Sequence, residues 1–144
     1  TFAPVDDHNI SEGKLHAEFY EISKEEANAI NEAKSAGKKI IAVGTTSMRA
    51  LESATDEKGN VHPQYGETSI FIMPGYTFRI VDGLVTNFHL PQSSLLMLVS
   101  AFCSYPNSGE MFTRFPSSLM GKAYQEAINN NYRFFSFGDS SLII

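Results

Sequence analysis

Apolar residues along the chain follow two periods, and the short runs with period two or with no interruption predict the strands. In residues 15–22 the side chains alternate between two faces, which is typical of a half-buried strand. Residues 40–43 form an unbroken, β-branched run, as expected of a strand covered on both faces. Further strands are predicted at 68–73, 78–81, 84–88 and 133–137. Asp82-Gly83 predicts a tight turn, so we expect strands 78–81 and 84–88 to pair as a hairpin.

Longer segments with apolar residues three and four positions apart predict four helices. Ser23 and Glu26 have the spacing of a capping box and would begin a helix that runs to about residue 36, where Gly37 would end it. The other helices are predicted at 48–54, 92–103 and 119–128. The third of these four helices is apolar nearly all round and should be buried, with Pro91 in its first turn.

The predicted strands and helices alternate along the chain, which indicates an α/β fold. We expect a layered mixed sheet with flanking helices, in one domain that takes in residues 1–144. The polar segments 55–67 and 104–117 are predicted loops, and residues 1–13 an extended, loop-like start. The chain begins Thr1-Phe2-Ala3-Pro4-Val5 without an initiator Met, so we expect it to belong to a longer, two-domain protein.

A glycine and two threonines separate the strand at 40–43 from the helix after it. Gly44-Thr45-Thr46-Ser47 would place backbone N–H groups and hydroxyls at a helix N-terminus, which favours an anion or polar ligand. Arg49 is predicted in the first helical turn, where a cation is unfavourable, so we expect it to have an anionic partner. The alternative is an ordinary threonine N-cap with a surface arginine.

Polar side chains also end the strand at 84–88 in the segment Thr86-Asn87-Phe88-His89. Strand ends beside a helix start are common positions for binding and catalysis in α/β folds. Asn87 and His89 are therefore candidate site residues. The alternative for His89 is a histidine that only packs in the core or a turn.

Composition limits the classes of function. The 144 residues are 42% hydrophobic, enough for a real core, and the net charge of −5 excludes an extensive basic surface for nucleic acid. The single Cys103 cannot form an internal disulfide, which favours a reducing compartment. The apolar runs are too short to span a bilayer. The four histidines have no Cys or His partners at metal-ligand spacing, and neither a G-x-G-x-x-G motif nor a P-loop is present.

Three segments together resemble one enzyme family: Gly44-Thr45-Thr46-Ser47-Met48-Arg49-Ala50-Leu51-Glu52, Thr86-Asn87-Phe88-His89-Leu90-Pro91, and Tyr132-Arg133-Phe134-Phe135-Ser136-Phe137-Gly138-Asp139. Thr1-Phe2-x-Pro4-Val5 and His16-x-Glu18-Phe19-Tyr20 match it too. The chain is similar to the C-terminal part of the S-adenosylmethionine:tRNA ribosyltransferase-isomerases of queuosine biosynthesis. The resemblance takes in nearly the whole chain, with the motifs in the family's order.

The resemblance implies a reaction and its partners. Family members transfer the ribosyl part of S-adenosylmethionine to 7-aminomethyl-7-deazaguanine at the wobble position of tRNA and isomerise it, giving epoxyqueuosine-tRNA, adenine and methionine. S-adenosylmethionine is then a consumed substrate, and no cofactor or metal is expected. The resemblance also implies tRNA as a partner, no membrane association, a cytoplasmic location and a monomer.

This chemistry requires a base that removes a proton from the ribose carbon next to sulfur, and a histidine or a carboxylate can do this. The candidates are His16, Glu18 and His89. Groups for binding the methionine carboxylate, the adenine and the tRNA are expected among Thr45, Thr46, Arg49, Asn87, Arg133 and Asp139. The aromatic residues Phe134, Phe135 and Phe137 suit either stacking on a base or core packing.

Three interpretations therefore remain. The chain is the catalytic part of such a transferase, or a folded or S-adenosylmethionine-binding fragment that lacks upstream residues of the active site. The acidic charge favours the second for the isolated chain, because tRNA affinity depends mainly on phosphate contacts. The third is an unrelated nucleotide-binding α/β module.

Overall fold

The computed structural model describes residues 13–144, and these form two small sheets flanked by helices. The strands are β1 (Lys14–Ile22), β2 (Ile41–Val43), β3 (Gln64–Ile70), β4 (Gly83–Asn87) and β5 (Ser140–Ile143). The α-helices are α1 (Lys24–Ser35), α2 (Thr45–Ser53), α3 (Ser94–Phe102) and α4 (Leu119–Asn129), with 3-10 turns at Phe115–Ser117 and Phe135–Phe137. The prediction of a mixed α/β fold is confirmed; that the chain is one domain stays a prediction.

The central sheet has the order β2-β4-β5 and contains both kinds of pairing. β2 and β4 are parallel, with Ala42 opposite Leu84. Because β2 is an edge strand with Ile41 and Val43 exposed, the prediction of a strand covered on both faces is wrong. β5 runs antiparallel to β4, with Thr86 opposite Ser141. Because β2 and β4 are parallel, their carboxyl ends meet at one edge of the sheet, and the segments that leave them lie close together.

The second sheet is an antiparallel ribbon of β1 and β3, in which Tyr20 lies opposite Gly66. Tyr20 and Ile22 of β1 point into the core, whereas Phe19 of the same strand is exposed. This confirms that the strand is half-buried. β3 begins at Gln64 rather than at the predicted residue 68, because pairing with β1 extends it into residues whose side chains gave no strand pattern.

The core lies between the central sheet and its helices. Leu84 of β4, Met48 of α2 and Val99 of α3 are completely buried, and Leu98 nearly so. The capping box of Ser23 and Glu26 is confirmed, since each residue's side chain accepts a hydrogen bond from the other's backbone N–H. The predicted burial of α3 is also confirmed, but Ser93 caps this helix, so Pro91 precedes its first turn.

The predicted hairpin between residues 78–81 and 84–88 is wrong. Residues 78–81 form no strand, because the Glu52 carboxylate accepts hydrogen bonds from the backbone N–H groups of Arg79, Ile80 and Val81 at 3.0–3.2 Å. These three N–H groups are therefore not available for hydrogen bonds to a neighbouring strand. The Asp82 carboxylate instead accepts from the N–H of Ile40, which ties the start of β4 to the start of β2.

The predicted strand at residues 133–137 is also wrong. The chain forms a 3-10 turn at Phe135–Phe137, and the last strand, β5, begins three residues later at Ser140. Backbone hydrogen bonds explain the difference: the Asp139 N–H donates to the Arg133 carbonyl, and the Arg133 N–H to the Asp139 carboxylate, which closes residues 133–139 into a loop. Of the predicted extended start at 1–13, residues 1–12 lie outside the described part of the chain.

Candidate active site

The carboxyl ends of β2 and β4 open into a cavity of about 470 Å³, which we call the strand-end cavity. Its volume lies in the range of roughly 300–1,000 Å³ that is usual for small-molecule sites. The residues that line it come from five separate segments: Val43, Gly44, Thr45, Thr46, Val85, Thr86, Asn87, His89, Leu95, Phe135, Ser136 and Ser140. Four of the predicted site residues, Thr45, Thr46, Asn87 and His89, are therefore brought together.

One wall of the strand-end cavity is the N-terminus of α2. Gly44 is the N-cap, at φ 92°, and its N–H donates to the Val85 carbonyl at 2.8 Å. As a glycine it supplies no side-chain acceptor to the N–H groups of the first helical turn, so these donors and the positive end of the helix dipole favour an anionic group here. The alternative of an ordinary threonine N-cap is wrong, and α2 begins at Thr45, earlier than residue 48.

Another part of the cavity wall is His89, which is only 6% exposed. Its Nε2 lies 3.0 Å from the Thr86 hydroxyl, and its backbone N–H donates to the Tyr124 hydroxyl at 2.8 Å. Burial lowers the pKa of His89 to about 4, so the ring is neutral at pH 7. A neutral imidazole held at a cavity wall is able to accept a proton.

Asn87 connects the strand-end cavity to the loop of residues 133–139. Its side-chain amide donates to the Asp139 carbonyl at 3.3 Å. Asp139 itself pairs with Arg133 at 3.3 Å, and hydrogen bonds from the Arg133 backbone and side chain lower the pKa of the Asp139 carboxyl. Asp139, paired with Arg133, thus holds the Asn87 side chain by a hydrogen bond, and neither residue lines the cavity. Direct roles of Arg133 and Asp139 in binding stay predictions.

Arg49 lies in the second turn of α2, not in the first, and its anionic partner is Glu18 of β1. The Arg49 Nη1 and a Glu18 carboxylate oxygen are 2.6 Å apart, and the arginine side chain is only 3% exposed. Burial lowers the pKa of the guanidinium and Glu18 opposes this shift, so Arg49 remains a cation. The expectation of an anionic partner is confirmed.

Neither member of this pair lines the strand-end cavity. Among residues 13–144, the buried Arg49 Nη2 has no hydrogen-bond partner. If Arg49 binds substrate as predicted, this nitrogen is the donor. His16 lies at an exposed position of β1 and is not part of the cavity either. The catalytic roles of His16 and Glu18 stay predictions.

Two hydroxyl groups of the cavity, those of Ser136 and Ser140, were missed from the sequence. Ser140 begins the strand β5, which was not predicted, and a serine after an aspartate carries no spacing signal.

In the part of the chain that the structure describes, no group of three or more His, Cys, Asp or Glu side chains is placed to hold a metal ion. No helix between residues 13 and 144 is long and apolar enough to cross a membrane.

Comparison with known proteins identifies relatives along the whole chain. Residues 1–143 match the family described as "Queuosine biosynthesis protein". The S-adenosylmethionine:tRNA ribosyltransferase-isomerase of Caldanaerobacter subterraneus subsp. tengcongensis is 52% identical over 144 residues, which are 100% of this chain and 39% of the relative. The enzyme of the same name from Ralstonia pickettii is 54% identical over 143 residues, 99% of this chain and 36% of the relative.

A solved structure agrees with these matches. The crystal structure of the S-adenosylmethionine tRNA ribosyltransferase from Thermotoga maritima superposes with a TM-score of 0.69 at 42% identity, over 88% of this chain and 40% of that one. The chain spans about 39% of the length of the curated relatives it matches, which is consistent with part of a larger protein. With a family match over 143 of its 144 residues, the chain belongs to the queuosine biosynthesis protein family.

Proposed function

We propose that this chain provides the S-adenosylmethionine site, and part of the catalytic machinery, of a tRNA ribosyltransferase-isomerase. The reaction moves the ribosyl part of S-adenosylmethionine onto 7-aminomethyl-7-deazaguanine at the wobble position of tRNA, isomerises it to give epoxyqueuosine-tRNA, and releases adenine and methionine. One observation carries the proposal: Thr45 and Thr46 from one segment, and Asn87 and His89 from a distant one, line a single cavity at the ends of two parallel strands.

The walls of the strand-end cavity offer complementary groups to the two ends of S-adenosylmethionine. The N-terminus of α2, with the Thr45 and Thr46 hydroxyls, suits the methionine carboxylate, because backbone N–H groups and the helix dipole favour a negative charge there. Asn87, on the next strand, suits hydrogen bonding to the adenine ring nitrogens. The ribose and the sulfonium would then lie between these walls, beside His89.

In this arrangement His89 is the base of the reaction. A proton leaves the ribose carbon next to sulfur and passes to a ring nitrogen of the neutral imidazole, while the electron pair of the broken C–H bond stays on that carbon, where the neighbouring sulfonium stabilises it as an ylide. The low pKa of His89 means that the imidazolium gives up its proton readily. The same ring can therefore protonate the departing adenine, which needs a proton to leave as a neutral base.

The test is calorimetric titration of S-adenosylmethionine into this chain and into a hydroxyl-deleted variant. Thr46→Val keeps the shape of the side chain but removes its hydroxyl from the cavity wall. We expect it to weaken binding by about ten-fold, equivalent to about 1.4 kcal/mol. Thr77→Val, at an exposed position outside the cavity, is the matched control and should bind as the unchanged protein does. Equal binding by all three proteins would refute the placement of the ligand.

A second candidate function is binding of S-adenosylmethionine without turnover. The net charge of −5 favours it for the isolated chain, since phosphate contacts dominate tRNA affinity. Adenine release from S-adenosylmethionine and substrate tRNA separates the two functions. Release by the 144-residue chain supports the transferase, whereas binding without release supports the module. Localisation in the cytoplasm and a monomeric state belong to the same proposal.

A further inference from the structure

His89 lies between two cavities. The second one, which we call the loop cavity, has a volume of about 250 Å³ and is formed by the turn that leads into α3 and by Phe135. His89, Leu95 and Phe135 line both cavities. The volume of the loop cavity is below the roughly 300 Å³ at which sites for drug-sized ligands begin, so it suits a single heterocycle.

Two residues with strained backbone conformations line the loop cavity. Gln92 has φ 58° and Phe135 has φ 65°, in the left-handed region that side chains other than glycine rarely adopt. Within residues 13–144, Asn131 is the one other non-glycine residue with positive φ. Such strain persists only where surrounding contacts impose it, and it is concentrated at functional sites.

Hydrogen bonds at both sides of the loop cavity hold these conformations. The Phe135 N–H donates to the Phe88 carbonyl at 2.8 Å, which fixes the 3-10 turn against the residue before His89. The Ser93 hydroxyl donates to the Leu90 carbonyl at 2.7 Å and closes the turn around Gln92. The positions of Gln92 and Phe135 are therefore set before any ligand binds.

The residues that line the loop cavity suit a flat base with a hydrogen-bonding edge. Pro91, Leu95 and the Phe135 ring supply apolar surface for a planar ring, and aromatic side chains stack on unpaired bases in RNA sites. The Gln92 amide supplies donors and an acceptor for the edge of such a ring. A carboxylate or phosphate ligand finds no cation among the residues that line the loop cavity.

We propose that the loop cavity holds the acceptor nucleobase, a 7-deazaguanine, with Phe135 stacked on its face and Gln92 bonded to its edge. The inference rests on the proposed function, in which S-adenosylmethionine occupies the adjoining strand-end cavity. The two reactants would then meet at the wall that the cavities share. His89 stands in this wall, where it reaches the ribose carbon from one side and the acceptor base from the other.

The experiment measures binding of free 7-aminomethyl-7-deazaguanine to this chain by calorimetry, with and without S-adenosylmethionine, alongside the melting temperature of each protein. Gln92→Gly removes the amide and also relieves the strained backbone, so we expect unchanged or higher thermal stability together with base affinity reduced by about ten-fold. Phe135→Leu should weaken the base to a similar extent. The matched control is Gln125→Ala, an exposed glutamine of α4 outside the loop cavity.

The outcomes separate this inference from the proposed function. Base affinity lost in Gln92→Gly and Phe135→Leu, with affinity for S-adenosylmethionine kept within about two-fold in Gln92→Gly, supports the loop cavity as the base site. A chain that binds S-adenosylmethionine but not the base overturns the inference alone, and so does base affinity in both variants equal to that of the unchanged protein. A chain that binds the base in a Gln92-dependent way but not S-adenosylmethionine supports the inference and overturns the proposed function.

Discussion

Arg49 and Glu18 form a partly buried ion pair that connects α2 to β1, with 2.6 Å between the guanidinium nitrogen and the carboxylate oxygen. The Arg49 Nε also donates to the Ile70 carbonyl of β3 at 3.2 Å. One side chain thus attaches both strands of the ribbon to the helix whose N-terminus forms a wall of the strand-end cavity. The position of that wall depends on this contact.

Breaking the Arg49–Glu18 pair should destabilise the protein. Glu18→Gln leaves the buried guanidinium without its countercharge, and we expect the free energy of unfolding to fall by about 1.5–3 kcal/mol. The double variant Arg49→Met/Glu18→Leu removes both charges and should be more stable than Glu18→Gln. Urea denaturation measures both. A double variant that is less stable than Glu18→Gln would show that the ion pair itself, not the uncompensated charge, governs stability.

The Glu52 carboxylate should be a second determinant of stability. It is 1% exposed and accepts hydrogen bonds from three backbone N–H groups and from the Tyr76 hydroxyl. Glu52→Ala leaves these donors unsatisfied, so we expect a loss of about 3–5 kcal/mol in the free energy of unfolding by urea. Glu57→Ala, at an exposed loop position, is the control and should change it by less than about 0.5 kcal/mol.

The buried His89 should make stability depend on pH. The folded protein binds a proton at His89 only below about pH 4, whereas the unfolded chain binds it below about pH 6.5. The unfolded state therefore gains protons first, and stability falls as the pH drops from about 6.5 to 4, by about 3 kcal/mol in all.

His89→Gln removes this titration. Its free energy of unfolding, measured between pH 4 and 7, should fall less steeply with decreasing pH than that of the unchanged protein. The control Gln125→Ala, at an exposed position of α4, should keep the original slope. Equal slopes in all three proteins would contradict the buried, neutral state of His89.

Gly138 should not tolerate a side chain. A Cβ atom there would lie 2.1 Å from the Arg133 carbonyl oxygen, so Gly138→Ala must open the loop of residues 133–139 that supports Asn87. We expect a loss of about 1–3 kcal/mol and faster amide exchange in β5. Gly109→Ala, where no atom lies within 4 Å of the new Cβ, is the matched control for melting temperature and exchange.

The sequence by itself determined the parts of this protein that local chemistry encodes. The capping box at Ser23, the half-buried strand β1 and the apolar helix α3 follow from side-chain period and cap residues within about a dozen positions. The motifs around Gly44 and His89 also marked two walls of the strand-end cavity, because polar residues that interrupt apolar strand ends are visible without any tertiary contact.

Only the tertiary structure decided which distant groups meet. Glu52 binds the backbone of residues 79–81, so an apolar segment with strand propensity became a loop, and the carboxylate responsible lies 27 residues or more away in sequence. Glu18 likewise lies 31 residues from Arg49, and its ion pair holds Arg49 outside the lining of the strand-end cavity. Hydrogen bonds and ion pairs across such separations leave no periodic trace in the sequence, because their geometry exists only once the backbone is folded.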